Sequence, residues 1–155
     1  MDLYFLIKTI HIISATILFG TGLGIAFFMF RGWYAEDPRE KLFAIRTTVL
    51  ADYVFTAPAA VVQPATGVWL IWTGGFSWAD HWLVVTYVLY VIAALCWLPV
   101  VWIQIRLKQI VAACLSSHAP LPAEYHRLYR LWFILGWPAF VGLIAVFFLM
   151  VVKPT

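Results

Sequence analysis

Residues 131–152, LWFILGWPAFVGLIAVFFLMVV, form an apolar block of 22 residues without a charged side chain. A helix rises about 1.5 Å per residue and the bilayer core is about 30 Å thick, so about 20 such residues span it. Three similar blocks precede this one, at about residues 3–30, 49–72 and 82–105. The sequence therefore predicts an all-α polytopic membrane protein, a four-helix transmembrane bundle that forms one domain over residues 1–155.

The overall composition agrees with a chain that lies almost entirely within lipid. Hydrophobic residues make up 65% and charged residues 11% of the sequence, whereas soluble domains average about 25% charged residues. The net charge of +3 is concentrated in two short segments, so it indicates membrane orientation and not a nucleic-acid partner. Cys96 and Cys114 lie in different segments, which leaves no spacing typical of a disulfide framework or a zinc site.

The distribution of Lys and Arg predicts the orientation of the four spans. Eight of the ten basic residues flank the first and third connections, and the second connection has none. These eight are Arg31, Arg39, Lys41, Arg46, Arg106, Lys108, Arg127 and Arg130. Because positively charged connections stay in the cytoplasm, both termini are predicted outside, in a multi-pass protein of the bacterial cytoplasmic (inner) membrane.

An ionisable residue lies inside the first predicted span. Lys8, His11 and Ser14 are three residues apart and therefore share one helix face. His11 lies about 12 Å along the helix from Leu3, within the hydrocarbon zone. Ionisable groups at this depth are costly and commonly mark functional sites. His11 is therefore interpreted as an axial ligand to haem iron or a proton-handling group, or alternatively as a neutral imidazole that is hydrogen-bonded to a neighbouring helix.

Counting from the ends of the other spans places further polar residues level with His11. Gln63 and Thr66 fall at this depth in the second helix, and Tyr87 and Tyr90 in the third. His81 lies at the outer mouth of the third helix, so it could serve as a second ligand only after a helix shift. The predicted cofactor-binding residues are Lys8, His11, Ser14, Gln63, Thr66 and His81.

Small residues and prolines in the spans predict packing features. Gly20 and Gly24 form a GxxxG pair, which permits close helix approach within the bundle or along a homo-oligomer seam. Pro58 and Pro64 in the second helix are expected to kink it and to free backbone carbonyls that bond to neighbours or shape a cavity.

Asp52 is predicted near the inner end of the second helix. At the interface it is expected to pair with a basic residue such as Arg46 or Arg106. A proton-entry role is the alternative interpretation. Gln104 lies at the same depth on the third helix.

Four segments resemble a bacterial family of integral membrane proteins known as domain of unknown function 2269. They are the stretch from Lys8 to Ala15 continued by Leu18 to Gly22, the stretch from Pro58 to Pro64, the stretch from Trp97 to Trp102, and the stretch from Leu135 to Phe140. This likeness covers all four predicted helices. It implies an integral membrane protein but no particular activity.

Two more distant likenesses imply a function. Lys8 and His11, the Pro-Ala start of the second helix, and the Trp and His before the third are similar to the HemJ type of protoporphyrinogen oxidase. That resemblance implies b-type haem, with His11 as ligand and His81 at the mouth of helix three. At Leu83 the HemJ family has a lysine, which counts against the porphyrinogen substrate more than against haem. The helix plan is also loosely similar to CopD copper-uptake proteins, but the methionines are too scattered for copper handling.

Three functional hypotheses follow from the sequence. The first is a haem b redox protein, either an oxidase or an electron-transfer subunit with a redox partner, in which Lys8 pairs with a propionate. The second is an assembly or scaffold subunit without a cofactor, in which His11 is structural. The third is a small-solute transporter, against which stands the lack of an inverted repeat.

Overall fold

The computed structural model describes residues 2–154 and contains four long helices. They are α1 (Leu3–Trp33), α2 (Pro38–Gly74), α3 (His81–Ser117) and α4 (Ala123–Val152), each long and apolar enough to cross a membrane. The predicted four-helix architecture is therefore confirmed. The predicted domain, residues 1–155, includes Met1 and Thr155, which lie outside the described residues.

Three predicted helix boundaries at the charged end of the bundle were wrong. α2 begins at Pro38 and not near residue 49, α3 continues to Ser117 and not only to 105, and α4 begins at Ala123 and not near 131. Hydropathy detects only the lipid-embedded part of a helix, whereas capping and packing determine where it ends. For α2, the Asp37 carboxylate caps the N-terminus by accepting a 2.7 Å hydrogen bond from the backbone N–H of Arg39.

The corrected boundaries leave only short connections. Residues 34–37, 75–80 and 118–122 join successive helices. The start of α1 and the end of α4 therefore lie at the same end of the bundle. The side of the membrane on which that end lies stays a prediction from the Lys and Arg distribution. On that basis, the end with the first and third connections is called inner and the opposite end outer.

The four helices pack tightly in the inner half of the bundle. Here the first part of α2, Pro38–Ala51, packs against α1 and α3, and α3 packs against α4. Buried side chains from all four helices form this inner core: Met29, Leu42, Ile45, Val100, Ile103, Leu107, Ile110, Val111, Tyr125, Leu128, Tyr129 and Trp132. The Tyr129 hydroxyl donates a 3.1 Å hydrogen bond to the carbonyl of Met29, which ties α4 to α1.

Aromatic residues near the inner end of the bundle lie in two different environments. Tyr125 and Tyr129 are buried and lie against the Trp33 ring, with centroids 5.8 Å and 4.2 Å from it. Trp132 is buried beside them, whereas Trp102 is 61% exposed and faces outward from the bundle. Most of these aromatic residues therefore belong to the inner core.

In the outer half the bundle separates into two helix pairs. The second part of α2, Ala57–Gly74, packs against α1, and α3 packs against α4. The pairs meet again near the outer hairpin, where Ile71, Trp82 and Leu83 form a small buried cluster. Large apolar side chains cover the outside of all four helices, as expected for surfaces that face lipid.

The backbone of α2 departs from α-helical geometry at its centre. Residues Asp52–Thr56 form a π-helical turn, in which the N–H of Ala57 bonds to the carbonyl of Asp52 five residues back. Further on, Pro64 has no N–H to offer the carbonyl of Ala60. The Tyr90 hydroxyl of α3 donates a 2.5 Å hydrogen bond to that carbonyl instead. This contact confirms the expectation that a proline frees a carbonyl for a neighbouring helix.

Close helix packing occurs at other glycines than those predicted. A Cβ on Gly20 or Gly24 would have no neighbour within 4 Å, so the GxxxG pair does not mediate packing within the described bundle. At Gly32 a Cβ would lie 2.7 Å from the Cβ of Ala44, where α1 crosses the start of α2. At Gly67 a Cβ would lie 3.3 Å from the His11 ring. The packing role predicted for Gly20 and Gly24 was therefore wrong, and the oligomer seam stays a prediction.

Replacing Gly32 should destabilise the inner half of the bundle. Because Gly32→Ala places a methyl group against Ala44, α1 and α2 must separate, at a cost of about 1–3 kcal/mol. A lower thermal unfolding midpoint of the detergent-solubilised protein would show this. Gly24→Ala is the matched control, since its methyl group meets open space. Equal midpoints for the two variants would contradict the close approach at Gly32.

Candidate functional site

His11 lies between α1 and α2 in a network of side-chain hydrogen bonds. Its Nδ1 is 2.8 Å from the Thr66 Oγ1, and its Nε2 is 3.1 Å from the Gln63 Nε2. The buried Ser14 hydroxyl contacts the Gln63 Oε1 and the His11 carbonyl. Gly67 leaves room for the ring. The depth match predicted between His11, Ser14, Gln63 and Thr66 is therefore present in the structure.

The donors and acceptors of this network determine the protonation of the ring. The Thr66 hydroxyl lies 2.7 Å from the carbonyl of Val62 on its own helix and donates its one proton there. It can then only accept from His11, so Nδ1 carries the proton. The Nε2 lone pair accepts from the Gln63 amide, whose Oε1 accepts from Ser14. In this arrangement His11 is a neutral imidazole, and both of its nitrogens are satisfied.

The remaining predicted site residues lie elsewhere. Lys8 is exposed, and its Nζ lies 5.9 Å from the centroid of the Tyr4 ring, one turn away on the same helix. His81 is exposed at the first position of α3. Tyr90 bonds to Ala60, and Tyr87 has no hydrogen-bond partner among the described residues. The structure thus assembles four of the six predicted residues and adds no tyrosine to them.

The His11 network does not fit haem ligation as it stands. An iron ligand needs a free nitrogen lone pair, and the Gln63 amide occupies the one on Nε2. Neither His81 nor any other histidine contacts His11. Within residues 2–154, no three His, Cys, Asp or Glu side chains cluster in a way that could hold a metal ion.

A second site lies deeper in the bundle, between the two helix pairs. A cavity of about 620 Å³ is lined by residues of all four helices. It extends along α4 from Trp132 to Leu143, which is about 16 Å of helix. Its walls are apolar and aromatic except at the inner end. Its volume lies in the range of about 300–1,000 Å³ that is usual for small-molecule sites.

Polar side chains close the inner end of this cavity. Asp52, Thr56 and Gln104 line it and are 2%, 6% and 1% exposed. The Trp97 indole Nε1 donates a long 3.4 Å hydrogen bond to the Asp52 Oδ1. Asp52 Oδ2, Thr56 Oγ1 and Gln104 Oε1 have no partner in hydrogen-bond geometry among the described residues, although the Thr56 and Gln104 side chains lie near enough to the carboxyl group to interact with it. This concentration of unpaired buried polar atoms contrasts with the satisfied network at His11.

The predicted ion pair of Asp52 was wrong. Its carboxylate lies inside the bundle and not at the interface, and Arg106 pairs with Glu124 at 2.9 Å instead. Arg46 lies on the surface, in a groove that it shares with Lys108. The sequence does contain a signal for this burial. Thr48, Asp52 and Thr56 are four residues apart, so they form one polar face on an otherwise apolar helix.

Four apolar helices around a cavity that lies within their span define the class of protein: a polytopic integral membrane protein. Residues 5–154 match the family described as predicted integral membrane protein (DUF2269), and the chain belongs to this family. No curated protein and no solved structure matches the chain. The resemblance to domain of unknown function 2269 is thus confirmed, and the likeness to HemJ and CopD proteins is not shown.

Removing one contact of the His11 network should weaken the pairing of α1 with α2. Thr66→Val keeps the shape but removes the acceptor of His11 Nδ1, at a cost of about 0.6–1.7 kcal/mol, as for other hydrogen bonds between membrane helices. Unfolding of the purified protein in mixed micelles would measure this cost. Thr73→Val is the matched control, because the Thr73 hydroxyl bonds only to Trp69 on its own helix. An equal effect of both substitutions would argue against a contact between the helices.

Proposed function

We propose that this protein binds an elongated, largely apolar small molecule inside the bilayer. The observation that carries the proposal is the cavity of about 620 Å³ between the two helix pairs, with apolar walls and one polar end. A ligand of matching form would bury its apolar body against the walls, at about 25 cal/mol per Å² of apolar surface removed from water. Its polar end would meet Asp52, Thr56 and Gln104.

The walls of the cavity support access from the lipid. Val61 of α2 and Leu98 of α3 line the cavity and are also 70% and 59% exposed on the outside of the bundle. At this depth long side chains, and not close backbone packing, join these two helices. An apolar molecule dissolved in the bilayer can therefore reach the cavity sideways between α2 and α3, without crossing water.

The haem-binding redox function remains the second candidate. The observation in its favour is the Thr66 hydroxyl, which holds Nδ1–H of His11 as metal-ligating histidines are commonly held by an oxygen acceptor. Bound haem would supply electron-transfer chemistry. Ligation requires that the Gln63 amide turn away from Nε2. Such a function also requires a redox partner, which could be an oxidase substrate or a second subunit.

The setting of either function is an integral membrane protein, and we propose the bacterial inner membrane as its location. A homo-oligomer through the Gly20 and Gly24 face is compatible with the structure. Both positions leave open space where a second copy could approach closely. Such an assembly would leave the cavity inside each protomer.

Filling the cavity should abolish ligand binding. Gly136 lines the cavity and a Cβ there meets no atom within 4 Å, so the side chain of Gly136→Leu extends into the cavity space. We expect the saturable quenching of tryptophan fluorescence by 11-bromoundecanol, measured in lipid nanodiscs, to require at least about tenfold more probe. Trp97, Trp132 and Trp137 line the cavity and would report contact with the bromine.

The control for this experiment adds the same side chain outside the cavity. Gly24→Leu meets equally open space but does not line the cavity, so its quenching curve should match that of the unmodified protein. Quenching that never saturates, or that is identical in the Gly136→Leu variant, would overturn the proposed function.

A visible absorption spectrum tests the haem candidate. If His11 ligates haem, protein purified from a haem-replete host shows a Soret band that His11→Ala removes. His81→Ala, a histidine remote from the network, should leave that band unchanged. Colourless protein from such a host would exclude the haem function.

A further inference from the structure

The inner end of the cavity holds a carboxyl group without a counter-ion. Asp52 is 2% exposed and lines the cavity. In the part of the chain that the structure describes, the only ion pair within 4.0 Å joins Arg106 to Glu124. No Lys, Arg or His lines the cavity. Within the bundle, the negative charge of an ionised Asp52 is therefore unbalanced, and burial without a partner is costly.

The polar atoms around this carboxyl group need hydrogen-bond donors. Asp52 Oδ2 and Gln104 Oε1 are acceptors without a partner in hydrogen-bond geometry, and burying such atoms unpaired is costly. The Thr56 hydroxyl lies near the carboxyl group, and its one proton can satisfy only one of these two acceptors. A ligand that brings N–H donors to this end of the cavity would satisfy acceptors that the protein leaves unpaired.

The walls next to the carboxyl group are aromatic. Trp97 and Trp132 line the cavity at this end, and Phe133, Trp137 and Phe140 continue along α4. The faces of such rings attract organic cations, and the attraction is stronger when the site is dehydrated. Apolar walls, aromatic faces and one unbalanced carboxyl group together match an organic cation and not an anion.

We propose that the cavity recognises a lipophilic protonated amine, with its ammonium group at Asp52 and Gln104 and its apolar part along the α4 wall. This proposal rests on the proposed function and adds the chemical class of the ligand. A neutral alcohol fits the cavity too, but it donates one hydrogen bond and leaves the carboxylate charge unbalanced. An amine binds both the charge and the acceptors.

The test compares two probes that differ only at their polar end. The probes are 11-bromoundecanol and 11-bromoundecylamine, whose primary ammonium group is protonated at neutral pH and carries three N–H donors. Tryptophan quenching in nanodiscs of zwitterionic lipid, with protein-free nanodiscs to correct for partitioning, gives both affinities. We expect the amine to bind about 10-fold to 100-fold more tightly than the alcohol, as a charge-assisted hydrogen bond warrants.

Substitution of Asp52 tests whether its carboxyl group causes the tighter binding of the amine. Asp52→Asn keeps the size and removes the charge, so amine binding should weaken by about tenfold or more while alcohol binding stays unchanged. Asp80→Asn, a carboxyl group before α3 that does not line the cavity, is the matched control. Its amine affinity should equal that of the unmodified protein.

The outcomes separate this inference from the proposed function. If both probes bind equally in the unmodified protein, or if Asp52→Asn leaves the amine preference intact, the amine assignment is wrong. The cavity would then remain a binding site provided that Gly136→Leu still blocks the alcohol. If neither probe quenches saturably, both proposals fail. If the Asp52→Asn variant does not fold, the comparison of amine and alcohol affinities in the unmodified protein still tests the amine assignment.

Discussion

The packing of the inner half of the bundle is the constraint on which the rest of the structure depends. Tyr125 and Tyr129 of α4 lie against Trp33 of α1, and Leu107 and Val111 of α3 are fully buried between the helices. This core holds the α1–α2 and α3–α4 pairs together at one end. Because the short connection of residues 75–80 joins them again at the other end, the space between the pairs is confined to the middle of the membrane.

The irregular backbone of α2 adapts one helix to this geometry. The π-helical turn at Asp52–Thr56 inserts a bulge where α2 passes from the inner core to its packing on α1. Pro64 then frees the carbonyl of Ala60, and Tyr90 bonds to it across the gap between the pairs. In lipid, a carbonyl left unpaired would be costly, so this contact both repairs the helix and restrains the width of the cavity.

The sequence predicted the features that follow from helix length and depth. It did not predict the features that depend on packing between distant parts of the chain. The contacts of His11 with Gln63 and Thr66 could be predicted because both helices rise by the same distance per residue. The burial of Asp52 could not, since it depends on α2 continuing inward to Pro38 and packing against α3. That part of α2 begins with a proline and carries several charged residues, so hydropathy does not identify it as helix. The prolines of α2 suggested a cavity in general terms, but its position and lining could not be predicted, because the separation of two helix pairs leaves no local signal.

The two polar clusters differ in a way that separates a structural from a ligand-binding role. At His11 both ring nitrogens have partners on the neighbouring helix and Ser14 bonds to Gln63, so the network joins α1 to α2. At Asp52, by contrast, three buried polar atoms that line the cavity are unpaired. An Asp in the centre of a membrane helix costs about 2.5–3.5 kcal/mol even before pairing is counted. A bundle that needed only stability would be better served by an apolar residue there, so the position of Asp52 supports the proposed ligand-binding role of the cavity.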